Sequence, residues 1–478
     1  MTTPTFDAFA LPREVAAAEP GLLAQDDGAA GDDGRVQTRR VDASAEWIRQ
    51  LAGALRSAGD ALADRPAEEL ARALGSVGAR FLDPGDELRC EALELLPATS
   101  GLSAEMAAAV LDGMAADWTG QRLLRLLREE LGDERVLDGF GPHPGSASDT
   151  GDLVMAAGPR LCVQIIAGSV PGVSVTALVR SLLLKGPTLV KPGRGDVVLP
   201  VLFARALRDA DPALADALAV VYWAGGQREP EEAALTCADV VTAYGSDETV
   251  AKLRALVPVT TRFVAYHHRV SVGVVGREAL GSTKTLERTA TDLAESVALF
   301  DQRGCVSPQV VFVEGDRETV AGLARAVADR LARVEERLPS GPLDAERAST
   351  LHQVRGTVEM LAAAGEVSVF HGGAAPWTVI LESGESSVGA CAGRTIRLRS
   401  VADVAEVPHL LEPLTPHLQT VGVAGLDERL ESLASALGRI GASRVVPFRS
   451  VAFPPPWWHH DGRGPLRDLV RWVDLERE

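Results

Sequence analysis

Residues 161–196 read LCVQIIAGSVPGVSVTALVRSLLLKGPTLVKPGRGD, and this stretch decides the fold. LCVQIIAG is an apolar run of strand length, SVTALVRSLLL has helical spacing, and PTLVKP is a second short apolar strand. Strands without a polar face, joined by a helix, are the signature of a parallel sheet covered on both sides. The alternation continues through a helix in VVLPVLFARALRDA, a strand in ALAVVYWAG, a helix in PEEAALTCA and a strand in DVVTAYG. The helix SDETVAKLRALV and the strand TTRFVAY complete it. The region 151–268 is therefore predicted as an α/β domain with a doubly wound, largely parallel sheet.

Downstream, 269–450 reads as a second α/β block. The strand RVSVGVVG and the helix TLERTATDLAESVALF lead through the loop DQRGCVSP into the strand QVVFVEG. Two long helices are expected near 317–336 and 344–364, then strands at VSVF, WTVIL, TIRLRS, HLQTVGVAG and SRVVPF. Upstream, 43–150 reads as a helical region, with amphipathic patterns in EWIRQLAGALRSAGDALADR and GQRLLRLLREELGDERV. The Gly/Pro/Ser-rich GFGPHPGSASDTGD closes it as a loop. Residues 1–42, rich in Ala, Gly, Asp and Pro, read as a disordered leader without a basic start or apolar signal core. Residues 451–478, with two adjacent tryptophans, read as a docking tail.

Composition narrows the function. Apolar residues are 46 % and charged residues 24 %, an ordinary balance for a soluble chain. A formal net charge of −18 disfavours nucleic acid and anionic lipid as partners. No apolar run approaches the roughly 20 residues that cross a bilayer, so no membrane role is expected. The five cysteines, at 90, 162, 237, 305 and 391, are scattered and lack CxxC spacing. Such usage fits a reducing, cytoplasmic setting better than a disulfide framework or a zinc site.

Five places could carry chemistry. Cys305 lies in a loop between a helix and a strand, beside Gly304, where a thiol can be exposed and ionised. On residue type alone, a small buried hydrophobe is the commoner fate of a cysteine. Lys191 ends a strand, the edge at which open α/β sheets bind ligands. A surface lysine is the alternative. Gly245 and Ser246 join a strand to a helix start, an anion site by its N–H groups or merely an N-cap. Gly168, Ser169, Pro171 and Gly172 form a turn at another strand end, either beside a substrate or only a connection. His267 and His268 sit at a strand end and could move a proton or be structural. His459, His460 and Asp461 resemble a metal cluster in composition, but adjacent histidines diverge and no third ligand is well spaced, so no metal is expected. There is no GxGxxG fingerprint.

In this order and spacing, Ser169-Val170-Pro171, Lys191-Pro192, Gly245-Ser246 and Cys305 resemble the aldehyde-dehydrogenase superfamily. QRGCVSPQ, HRVSVGVVG, HLQTVGVAG and PPPWWHHDG resemble, within it, the long-chain acyl-CoA reductase family that includes the fatty-acid reductase subunit of bacterial bioluminescence. The likeness spans about 150–475. It implies an NAD(P)-binding domain at 151–268, a catalytic domain at 269–450 and a cleft between them holding Cys305. It also implies a homo-oligomer.

The implied activity is NADPH-dependent reduction of a fatty acyl-CoA or acyl-carrier-protein thioester to the aldehyde through an acyl-cysteine on Cys305. Three departures refine it. Hydrolytic relatives carry a Glu about 34 residues before the cysteine, whereas Ser271 stands near that position, which favours reduction over hydrolysis. The oxyanion-hole Asn of the superfamily corresponds to Ser169, whose shorter hydroxyl would donate directly or through water. The position of a ribose-binding Glu corresponds to Arg194, which would attract a 2′-phosphate and select NADPH. His268 is the candidate proton donor. The alternative is a non-catalytic acyl-binding or scaffold subunit that retains the fold.

Overall fold

A computed structural model describes residues 5–18, 21–27, 36–143, 152–382 and 391–476. The chain divides into two compact units. One comprises Met1–Ser100, Ala108–His267 and Pro455–Glu478, the other Gly101–Ala107 and His268–Pro454.

The first unit opens with β1 (Thr5–Asp7), β2 (Phe9–Ala10), β3 (Leu22–Asp27) and β4 (Val36–Val41). β1, β4 and β3 form a three-stranded sheet in that order. This corrects the expectation of a disordered leader over 1–42 for the described part of that stretch. Phe6, Ala8, Leu11, Val36 and Val41 are buried, so apolar residues spaced along short strands do fold, although the surrounding Gly, Asp and Ala give the stretch a disordered composition. The proposed 139–152 loop begins with β5 (Gly141–Pro142), and its residues 144–151 lie outside the described residues.

β6 (Leu153–Ala157), β7 (Cys162–Ile165), β8 (Thr188–Lys191), β9 (Leu218–Val221), β10 (Val240–Tyr244) and β11 (Arg262–Tyr266) follow. The main sheet runs β11-β10-β7-β8-β9-β2, parallel apart from β2. Every residue of β7, β8 and β9 is buried, as their mostly apolar sequences require, with Gln164, Thr188 and Lys191 the polar exceptions. The helices of 43–150 belong to this same unit rather than standing apart, except for Ala104–Ala107, the start of the helix Ala104–Ala115, which is counted with the second unit. Phe81 and Trp118 meet edge to face at 5.7 Å, and Phe203 of the sheet-covering helix Val198–Ala210 stacks on Phe81 at 6.2 Å.

The second unit holds β12 (Val270–Val275), β13 (Pro308–Glu314), β14 (Val367–His371), β15 (Trp377–Glu382), β16 (Arg394–Val401), β17 (Leu418–Ala424) and β18 (Arg444–Pro447). Their order is β14-β15-β16-β13-β12-β17-β18, and only β14 is antiparallel. The glycines in VSVGVVG and TVGVAG have a steric reason. A Cβ on Gly273 or Gly422 would lie 2.7 or 2.6 Å from the Phe448 ring, which covers both strands. The long helices occupy Arg317–Arg337 and Ala345–Ala363.

The tail returns to the first unit, where β19 (Arg471–Leu475) pairs antiparallel with β6. Trp457 lies beneath the Arg125 guanidinium at 3.8 Å. Trp458, His460, Tyr266 and Tyr244 form a column of stacked rings with successive centroids 4.6, 4.4 and 4.4 Å apart. Among the described residues, no helix is long and apolar enough to cross a membrane.

Candidate active site

In the first unit, strand order reverses between β7 and β10, with β8 and β9 on one side and β11 on the other. Such a switch point, at the carboxyl ends of the strands, is where doubly wound sheets take ligands. Ser169 follows β7 and is exposed. Lys191 ends β8, with Arg194 exposed three residues on. Gly245 and Ser246 follow β10. The sheet thus brings these three segments to one edge.

Lys191 is 8 % exposed, its ammonium 5.7 Å from the Tyr222 ring centre. Burial pushes it below the usual lysine range, opposed by attraction to Glu231. The Ser246 hydroxyl accepts from Thr249 N at 3.3 Å and caps the helix Asp247–Leu256, so the capping role of Ser246 is met. Both the buried lysine and the helix N-terminus suit the phosphates and ribose of a dinucleotide.

The SVPG turn is held from outside. Gly172, at φ 95°, begins the helix Val173–Leu183, and that helix has no cap from its own N-cap side chain. Asp196, fully buried, supplies one. Its Oδ1 accepts from Gly172 N at 2.7 Å and its Oδ2 from Ser174 N at 2.8 Å. Burial pushes this carboxyl up to about 7, against those two bonds. Sequence reading passed over Asp196. The signal was an acid closing a Gly-rich loop, but its partners lie 24 and 22 residues upstream.

In the second unit, Cys305 is exposed and precedes β13. Phe300, Asp301 and Gln302 are left-handed, with φ of 59°, 50° and 58°. Three such residues in succession are costly for L side chains and persist only where surroundings impose them. Those surroundings are specific. Asp301 accepts from Arg394 Nη2 at 2.9 Å and from Gly341 N at 3.0 Å. Arg394 is wholly buried and also binds Glu335 at 2.8 Å. Gln302 donates to the Pro308 and Thr395 carbonyls at 2.9 and 2.6 Å and accepts from Thr395 N at 2.8 Å. Arg303 donates to the Gly101 carbonyl at 2.7 Å.

Beyond the turn, the Ser271 hydroxyl donates to the Cys305 carbonyl at 2.6 Å and accepts from Thr420 N at 3.3 Å. Ser271 is 1 % exposed. The loop is thereby fixed before and after the thiol. By contrast, Cys162 and Cys391 are pushed up to about 11 by burial and are poor nucleophiles. Cys90 is exposed on the helix Glu87–Ser100. His268 is exposed just before β12, its carbonyl 3.2 Å from His417 Nδ1. His267 belongs to the first unit and lies 3.3 Å from Asp247.

Comparison with known proteins agrees with this architecture. The sequence matches the family described as acyl-CoA reductase (LuxC) over residues 62–472. It is 25 % identical over 417 residues to the long-chain acyl-protein thioester reductase of Aliivibrio fischeri, covering 84 % of this chain and 81 % of that one. For the Photobacterium phosphoreum protein of the same name, identity is 22 % over 416 residues, covering 84 % and 80 %. Among solved structures, aldehyde dehydrogenase 21 from Physcomitrella patens superposes with a TM-score of 0.75 at 15 % identity, over 99 % of this chain and 98 % of that one. An NAD-dependent aldehyde dehydrogenase from Sinorhizobium meliloti gives 0.72 at 16 %, over 95 % and 91 %. The chain therefore belongs to the acyl-CoA reductase (LuxC) family and has the aldehyde-dehydrogenase fold.

Proposed function

We propose that this protein reduces a fatty acyl thioester, carried on CoA or on a carrier protein, to the aldehyde with NADPH. The observation that carries the reading is the exposed Cys305 thiol on a doubly anchored loop, with the Ser271 hydroxyl, rather than a carboxylate, bound behind it.

The Cys305 thiolate attacks the thioester carbonyl, and the carbonyl π electrons move to oxygen. The Cys305 N–H and the Ser169 hydroxyl stabilise that oxyanion. Its collapse breaks the bond to the carrier thiol and leaves an acyl-cysteine. A dinucleotide held by Lys191, Arg194, Gly245 and Ser246 would supply the hydride that reduces it. The oxyanion left by that reduction collapses, breaks the carbon–sulfur bond, releases the aldehyde and returns the Cys305 thiolate. The one proton required therefore goes to the departing carrier thiolate, and its delivery falls to His268. Ser271 already donates to one backbone oxygen and accepts from one N–H, so it does not activate water. The acyl-enzyme therefore survives to be reduced. The relatives named for acyl-protein thioesters support a protein-borne acyl group beside acyl-CoA. A homo-oligomer in the cytoplasm completes the reading.

The test is incubation with acyl-CoAs and acyl-carrier-proteins of graded chain length, following NADPH absorbance and intact mass, with Cys305→Ala beside the wild type. The expected result is thioester-dependent NADPH loss and an acyl adduct on the wild type alone. An adduct without NADPH loss would support an acyl-carrying subunit instead. Neither signal with either thioester class would overturn the reductase reading.

A further inference from the structure

We propose that Asp196 is a positioning residue that locks the nucleotide-side loop Lys191–Asp196 and the acyl-side turn Ile166–Gly172 into one rigid body. The inference rests on the reading of Lys191 and Arg194 as dinucleotide contacts and of Ser169 as an oxyanion donor.

The two loops already touch backbone to backbone. Ile166 N donates to the Lys191 carbonyl at 3.0 Å, extending the β7–β8 pairing past the strand ends. A Cβ on Gly193 would lie 2.1 Å from Gly168 N, and one on Gly195 would lie 2.3 Å from the Gly168 carbonyl oxygen. No side chain fits between the loops. Asp196 closes the assembly by accepting one N–H on each carboxylate oxygen, from Gly172 and Ser174. Buried polar oxygens without solvent are costly unless hydrogen-bonded, so these two bonds are bonds the fold depends on.

The consequence is mechanical. Ser169 sits beside Gly168 on one loop, while Lys191 and Arg194 lie on the other. A shift of either loop would carry the other with it. A neutral isostere cannot hold the lock. Asparagine has one oxygen to accept with, and its amide would face the second N–H donor to donor.

The test compares wild type, Asp196→Asn and Glu130→Gln in the full chain. Glu130 is a buried acid of the same unit that accepts from Leu466 N at 3.1 Å and Arg467 N at 3.3 Å, near the tail. Three readouts are taken: NADPH affinity, the rate of acyl adduct formation on Cys305 without nucleotide, and amide hydrogen exchange across 166–174 and 192–196. For Asp196→Asn, NADPH affinity and acylation each fall about tenfold or more, and exchange in both segments rises by a similar factor. For Glu130→Gln, melting temperature falls while the three readouts stay near wild type. Faster exchange confined to 166–174, or acylation at the wild-type rate, would overturn the coupling. A wild-type protein that forms no adduct would sink the reductase reading, and exchange in both segments would still decide the lock.

Discussion

The buried hydroxyl of Ser271 is hydrogen-bonded to the backbone carbonyl of Cys305 at 2.6 Å. Ser271 stands near the position where the resemblance to hydrolytic aldehyde dehydrogenases would place a water-activating glutamate. Here that position holds the Cys305 loop. Ser271→Ala leaves the Cys305 carbonyl and Thr420 N without this partner, so a loss of about 1–3 kcal/mol is expected. Acylation should slow about tenfold as the loop loosens, with aldehyde still the product and no gain of free acid. Product analysis beside urea unfolding checks this. An alanine variant with wild-type acylation would remove Ser271 from any role at the thiol.

The left-handed turn before Cys305 depends on a charge cluster. Arg394 is wholly buried between Asp301 and Glu335. Arg394→Met should cost about 3–5 kcal/mol, because it leaves the nearly buried Asp301 carboxylate with only the Arg303 guanidinium, at 3.6 Å, as a cation. Asp301→Asn should be milder, since asparagine tolerates the left-handed region and keeps one acceptor. The asparagine variant should fold, with acylation reduced more than NADPH affinity. Denaturant titration and the intact-mass assay separate the two effects. Equal stability of Arg394→Met and wild type would refute the cluster's role.

Much of this was legible in sequence. Apolar runs placed β7 to β11 and β12 to β18, most plainly the central strands, because a strand buried on both faces cannot hide its composition. The loop at Cys305 was found from Gly304 and the following strand. The devices that shape the site were not legible, since each joins residues far apart in the chain. Asp301 meets Arg394 across 93 positions, and Ser271 meets Cys305 across 34. A polar residue inside VSVGVV was the visible trace of Ser271, but only its partner explains it. The strands within 1–42 escaped because their burial comes from tertiary contacts, while their neighbours' composition suggested disorder.

Arg194 lies three residues beyond Lys191, exposed at the carboxyl edge of the first sheet. If it reads a 2′-phosphate, Arg194→Ala should lower kcat/KM for NADPH about tenfold or more and leave NADH within about twofold. The ratio of the two dinucleotides is the measurement, since a general loss of folding would lower both. An unchanged ratio in the variant would remove Arg194 from cofactor selection.

Stability in acid should depend on Glu314, at the far end of β13 from Cys305. Burial alone would push its carboxyl up, but bonds from Arg429 and Arg277 outweigh it and hold it at about 2. Arg429 donates to both its oxygens at 2.9 Å, and Arg277 N donates at 3.0 Å. A carboxyl depressed in the folded state contributes stability that is present above its unfolded value, 4.5, and lost as pH falls through about 2. The shift corresponds to about 3 kcal/mol at neutral pH. Glu314→Gln should therefore be less stable than wild type by roughly that amount at pH 7. The gap should narrow progressively below about pH 4, because protonation then removes the same charge from the wild type. Arg277 and Arg429 are solvent-accessible enough to be hydrated once the carboxylate is gone, so the variant should still fold. Urea unfolding of both proteins between pH 3 and 7 measures the gap, and a difference that stays constant across that range would show that Glu314 acts through packing rather than charge.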